Sequence, residues 1–300
     1  MSGVTHVRDR RSGAVFSERV FGGGALDFLY GRRGRWLTDR VLSGQAANRV
    51  YGWLQRRPGS RGKIAEFVSS LGVDASEAEL PLAAYASLDD FFTRKLRPGV
   101  RPIDPDPAHL VSPADARVLA VPRLAGQRLP VKGTQTTVAE LLDDAALARR
   151  FHDGAALVAR LAPADYHRFH FPDDGVASAA HDVDGRLHSV HPIALAAGAP
   201  SLQNRRSVTL LESAGFGTLA LVEVGALCVG TIEQSYRPGP VRRGAEKGLF
   251  RFGGSTVIVL AEPGRLRFDA DLVEASEAGL ETLVRMGERL ARASGAAGPR

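Results

Sequence analysis

Four segments carry residue types that could do chemistry. The run Arg160-Leu-Ala-Pro-Ala-Asp-Tyr-His-Arg-Phe-His-Phe-Pro-Asp-Asp-Gly175 sets His167 and His170 three positions apart. On a helical turn the two would share a face; on a strand they would point to opposite sides. In the alternation Arg168, Phe169, His170, Phe171, the two Phe are expected to face a core and His170 a cleft. No Cys cluster or suitably spaced third His accompanies them, so no metal site is expected. Ser112-Pro-Ala-Asp-Ala116 puts Asp115 in a turn before an apolar run, where Asp ordinarily caps backbone N–H groups. Glu223-Val-Gly-Ala-Leu-Cys-Val-Gly230 is a glycine-interrupted apolar strand, the mark of a bulge, a close backbone approach or simple packing. Gly248-Leu-Phe-Arg-Phe-Gly-Gly-Ser-Thr-Val-Ile-Val-Leu260 sets Gly-Gly-Ser between two strand-like runs. Taken alone it reads as a hairpin turn or a bulge. It lacks the lysine and helix of a phosphate-binding loop. It is not a nucleophile elbow, because the second residue after Ser255 is Val257.

The elements that must hold these segments follow from composition and pattern. The chain has 300 residues, 44% hydrophobic and 24% charged, which excludes a disordered or collagen-like protein. Cys228 is the single cysteine, so no intrachain disulfide forms, in keeping with a reducing compartment. No apolar run reaches membrane-spanning length, and the start lacks a secretory apolar stretch. Short helices are expected before residue 75. One covers Trp36-Leu-Thr-Asp-Arg-Val-Leu42, one covers 48–55, and one covers 63–71 with Ile64, Phe67, Val68 and Leu71 on one face. From about residue 110, Val- and Leu-rich runs at 116–121, 156–161, 208–211, 219–224 and 256–260 alternate with turn signals. Helices are expected at 138–149 and, amphipathic and terminal, at 274–293. The fold class is therefore α+β, with N-terminal helices next to a largely antiparallel β-rich core.

Charge is unevenly spread. Residues 1–63 hold 13 basic and 4 acidic side chains, a net +9, whereas the remainder is net −3. An anionic partner for the N-terminal region follows: an acidic membrane surface or nucleic acid. Trp36 and Trp53 lie there among arginines, which suits a helix resting on a bilayer or ordinary helix packing with a solvated Arg face.

Taken together, the segments resemble the phosphatidylserine decarboxylase family of pyruvoyl-dependent proenzymes. The strings are Phe91-Phe-Thr-Arg-Lys-Leu-Arg-Pro-Gly-Val-Arg-Pro-Ile103, Ser112-Pro-Ala-Asp115, Arg160-Leu-Ala-Pro with Asp165-Tyr-His-Arg-Phe-His170, Val224-Gly-Ala226 and Phe252-Gly-Gly-Ser-Thr256, in the family's order. One departure is Ala116, where the family commonly has Gly. The resemblance implies self-cleavage between Gly254 and Ser255. Ser255 Oγ attacks the Gly254 carbonyl and the amide becomes an ester. β-Elimination leaves dehydroalanine, which hydrolyses to a pyruvoyl group and ammonia. A basic helical membrane-associating region (1–80) and a decarboxylase domain (81–300) would then exist as a β chain of residues 1–254 and an α chain of residues 255–300. Ser255 needs a base, and His170 supplies one with Asp115 as its orienting group. His167 is the candidate proton donor to the decarboxylated product. Arg168, Arg205, Arg206 and Lys247 are candidates to meet the head-group phosphate. The partners implied are phosphatidylserine in the membrane and the chain's own fragments. A homo-oligomer is compatible with this, nucleic acid is not expected, and the location implied is peripheral, on the cytoplasmic face of the cell membrane.

Three other functions are weighed against this one. A pyruvoyl-dependent decarboxylase of another amine would keep the same site. A hydrolase using Ser255, His170 and Asp115 would keep the chain intact. A non-catalytic lipid-binding protein would use the basic N-terminal region alone.

Overall fold

The computed structural model describes residues 6–18, 38, 43–125, 128–131, 134–189, 194, 201–226, 231–252 and 255–295. Gly253, Gly254, Cys228 and all of the expected 36–42 helix except Thr38 lie outside the described residues. One large sheet, eleven-stranded among the described residues, organises the rest. At its centre Ser255–Ala261 runs antiparallel to Gly217–Val224 on one side and Ala155–Leu161 on the other. Arg206–Ser213 continues the first side; Ala116–Val121 and then Glu281–Val284 continue the second. His6–Asp9 adds to Glu281–Val284 in parallel, so the N-terminal region contributes strands as well as helices.

Every residue of Ser255–Ala261 and of Ala155–Leu161 is buried. A strand covered on both faces needs no polar alternation, which is why STVIVLA and AALVARL read as near-continuous apolar runs. One face carries Leu161, Leu221, Val257 and Val259 against Phe169, Phe171, Phe250 and Leu272. The other carries Val158, Val222, Ile258 and Leu260 against Val138, Leu141, Leu142 and Phe151. A third cluster joins the helices Ile64–Leu71 and Leu88–Phe92 through Phe67, Phe91 and Phe92, and it includes Phe252 from the far end of the chain.

Three expectations are corrected. The segment 274–293 is not one helix. Helix Ala270–Glu277 stops at Gly279, which takes φ +72 and closes the end through Leu280 N–H to Ala275 O. The chain then forms strands Glu281–Val284 and Arg289–Ala293, with Gly287 at φ +86 in the turn between them. The segment 138–149 splits into Val138–Leu142 and Ala145–Ala148. Asp143 turns left-handed at φ 53, and Asp144 caps the second helix through the N–H groups of Ala146 and Leu147. The segment 248–260 is not a hairpin. Glu246–Phe250 joins a small sheet with Ile232–Gln234 and Arg168–His170, so Gly-Gly-Ser leads from one sheet into another.

That small sheet holds the histidine strand, and Gly248 sets its closeness. A Cβ at Gly248 would lie 2.2 Å from the Glu233 carbonyl oxygen and 2.6 Å from the Phe169 ring. Gly248→Ala is expected to cost about 1–3 kcal/mol by overpacking, read as a lower denaturant midpoint. An unchanged midpoint would mean that the strands have room to part.

Candidate active site

Antiparallel pairing brings the site residues to one end of the large sheet. Ser255 opens its strand opposite Leu161, the last residue of Ala155–Leu161, and Arg117 pairs with Arg160, so Asp115 precedes the start of the next strand over. The loop after Leu161 then delivers His167 and His170. Its conformation is fixed by Asp165, whose carboxylate accepts Ala162 N–H at 2.7 Å and pairs with Arg117. Arg94 donates to the carbonyls of Ala164 and Asp165 from outside the loop. Ala116 is buried in the regular strand Ala116–Val121, so the family's usual Gly is not needed there for backbone freedom.

Ser255 is fully buried, and its Oγ has no hydrogen-bond partner among the described residues. His167 is also fully buried. Its ring stacks on Phe92 at a centroid separation of 3.8 Å, and Nε2 donates to the Ala162 carbonyl at 3.0 Å. A carbonyl only accepts, so the proton is on Nε2 and Nδ1 is a bare acceptor, also without a partner among the described residues. Burial, with the nearby Arg94 charge, pushes the His167 pKa down to about 3. His167 is thus a neutral base in this structure, and a donor role requires it first to gain a proton.

His170 has the opposite tautomer. Nδ1 donates to the Gly244 carbonyl at 3.0 Å, leaving Nε2 as the basic nitrogen, 3.3 Å from the Tyr166 hydroxyl. Burial lowers its pKa as well. Phe169 and Phe171 are buried in the core as the alternation suggests. Asp115 does not hydrogen-bond to either imidazole. Its carboxylate is gripped by Arg101, with Nε at 2.9 Å and an N–H2 group at 2.6 Å, and accepts Met286 N–H at 2.8 Å. Its charge still acts on His170 through space, favouring the imidazolium. Asp115, His167, His170 and Ser255 therefore share one end of the sheet, while the orienting acceptor of His170 is the Gly244 carbonyl.

The four candidate phosphate ligands are differently placed. Lys247 is buried on Glu223 at 2.8 Å and Gln234 at 2.9 Å. Arg206 is buried on the Leu141 carbonyl at 2.6 Å, and Arg168 holds Glu246 through two 2.9 Å contacts. Arg205 has a looser contact, 3.4 Å to Asp182. Sequence reasoning passed over Arg94, Arg101, Tyr166 and Gly244. Three of them stand inside the quoted strings, so the strings themselves were the available signal; Gly244 had none.

Relatives of known family match nearly the whole chain. The sequence matches the family profile described as "Phosphatidylserine decarboxylase" over residues 88–292. It is 42% identical over 288 residues to the phosphatidylserine decarboxylase proenzyme of Chlamydia trachomatis serovar L2, covering 95% of this chain and 96% of that one. It is 40% identical over 286 residues to that of Desulfitobacterium hafniense, covering 94% and 96%. The Fusobacterium nucleatum proenzyme is 38% identical over 285 residues, with 94% and 95% covered.

The low pKa of His167 has a consequence for stability. The unfolded chain binds a proton at about pH 6.5 and the folded one near 3, so stability is fully present above 6.5 and falls as pH drops through that window. The slope is at most about 1.4 kcal/mol per pH unit for one group. In uncut Ser255→Ala protein, adding His167→Asn should flatten the fall in denaturant midpoint between pH 6.5 and 4. Parallel curves would mean that His167 is not held neutral by the fold. The match over nearly the whole length, with the family's strings converging on one end of the sheet, shows that the chain belongs to the phosphatidylserine decarboxylase family.

Proposed function

We propose that this chain is a self-processing proenzyme that decarboxylates phosphatidylserine to phosphatidylethanolamine with a pyruvoyl group made from Ser255. The observation that carries this is the buried Ser255 Oγ, unpartnered among the described residues, at the head of the central strand, whose ladder partner Leu161 leads into the segment that carries His167 and His170. Loss of the Ser255 hydroxyl would break no side-chain hydrogen bond among the described residues, so the surroundings fit the group. The pyruvoyl carbonyl supplies the electron sink for the charge left as carbon dioxide departs.

The chain's own residues do the rest. The Ser255 hydroxyl gives up its proton, Oγ bonds to the Gly254 carbonyl carbon, and the peptide C–N bond breaks, its nitrogen taking a proton. Loss of the Cα proton of residue 255 then expels the Gly254 carboxylate, and water releases ammonia. His170 Nε2 is the proton acceptor, since Gly244 fixes its tautomer and the Asp115 charge supports its protonated form. His167 serves the later protonation at Cα, after cleavage changes the closed surroundings that keep it neutral.

Intact mass tests this directly. Purified wild-type protein should be two chains divided at 254/255, with hydroxylamine labelling residue 255, while Ser255→Ala stays one unlabelled chain. An active, uncut wild-type chain would remove the self-processing mechanism and favour a serine hydrolase. Cleavage and labelling with no turnover of phosphatidylserine would favour another amine substrate.

The same reading sets the enzyme on the cytoplasmic face of the membrane through the helix Gln45–Arg56. Val50, Trp53 and Leu54, spaced i, i+3, i+4, are 60%, 47% and 48% exposed. Arg49, Arg56 and Arg57 flank them, and the Arg57 guanidinium lies 3.9 Å over the Trp53 ring. Apolar anchors framed by cations suit an anionic bilayer. Among the described residues no helix is long and apolar enough to cross a membrane. Val50→Asp with Trp53→Asp should weaken binding to phosphatidylserine vesicles about tenfold or more and leave self-cleavage intact. Wild-type binding by that variant would discard this helix as the anchor.

A further inference from the structure

The backbone just ahead of the scissile bond is held from outside the site. Asp89 lies buried in the first turn of Leu88–Phe92. Its Oδ1 accepts the Phe252 N–H at 3.0 Å, and its Oδ2 accepts from Arg251 at 3.0 Å. Arg251 is also forked onto Glu233, at 2.8 and 2.9 Å. The Phe252 ring sits in the helical cluster, 4.9 Å from Phe92 and 6.1 Å from Phe67. On the other side of Gly253-Gly254, Ser255 is fixed by its ladder to Leu161.

The glycine pair is thus a short span between two anchorages, one on the large sheet and one on the N-terminal helices. Attack by Ser255 on its own preceding carbonyl demands a defined approach, and two glycines supply freedom rather than order. We propose that Asp89 is a positioning residue for self-cleavage. By gripping Phe252 N–H and Arg251, it fixes the chain two residues before the scissile peptide and limits the orientations open to Gly253-Gly254. It takes no part in turnover of the lipid. This rests on cleavage at 254/255.

The test follows conversion of precursor to two chains over time in full-length wild type, Asp89→Ala, Asp89→Asn and Arg251→Gln. Thermal midpoints are taken on each substitution combined with Ser255→Ala, so that all are uncut. Turnover is measured per hydroxylamine-titrated site. Asp89→Ala should cleave about tenfold or more slowly, yet its matured fraction should decarboxylate at the wild-type rate per site. Asp89→Asn keeps an acceptor for Phe252 N–H and should recover most of the cleavage rate. Arg251→Gln should slow cleavage less than Asp89→Ala. Wild-type cleavage by Asp89→Ala overturns the proposal. So does cleavage loss with an equal loss of turnover per site, which is general damage to the fold. If Asp89→Ala does not fold, Asp89→Asn decides, because cleavage slowed tenfold in that variant also overturns it. Failure of the underlying reading looks different: wild type would stay uncut, or Ser255→Ala would be cut.

Discussion

A hydroxyl buried without a hydrogen-bond partner costs about 1–3 kcal/mol. Ser255 Oγ is in that condition among the described residues, and the structure around it is arranged to hold it there. The strand it opens is laddered on both sides along its length and covered on both faces. A slip by one residue would turn Val257 and Val259 out of one core and Ile258 and Leu260 out of the other, so register is strongly fixed. Water is kept out by the same packing. Both imidazoles nearby are neutral for that reason, because desolvation opposes their charged forms.

Around this neutral pocket the charges are matched. Arg160 is buried on Glu281 and Glu18, and Arg117 on Glu18 and Asp165. Arg101 links Asp115 to Glu77, which also meets Arg285. Such pairs are weak contributors to net stability, but breaking one leaves an uncompensated charge inside. Their effect is geometric: residues near 18, 77, 94, 101, 117, 160, 165 and 281 are tied at one end of the sheet. Several of these residues sit in the strings that carry the family resemblance, although none was assigned a role from sequence.

The central strands were legible because doubly buried strands write themselves as apolar runs; Ala116–Val121 was delimited correctly and the others to within a few residues. The C-terminal strands were not, because Leu280, Leu283 and Val284 stand at i, i+3 and i+4 as on a helix face, and Gly279 and Gly287 were the local signs of a break. The site residues were legible as types: a serine after two glycines, paired histidines, an aspartate in a turn. Their partners were not. Nothing in the sequence marks the Gly244 carbonyl as the acceptor for His170, since a backbone oxygen has no residue signature. Nor does it mark Arg101 as the grip on Asp115, which needs two segments brought together by tertiary packing.

The position of Ser255–Ala261 has a thermodynamic corollary. Its neighbours on both sides, Gly217–Val224 and Ala155–Leu161, precede the cleavage point in the chain. With the proposed division at 254/255, the middle of the sheet would belong to a different molecule from the strands beside it. Folding of the precursor is first order, whereas reassembly of the cut protein would be second order, with loop closure replaced by a search between two chains. Cutting after folding would therefore leave two chains held together without a covalent link, whose refolding yield would depend on dilution in a way the precursor's does not. The persistence of the mature form is then set by how slowly it unfolds.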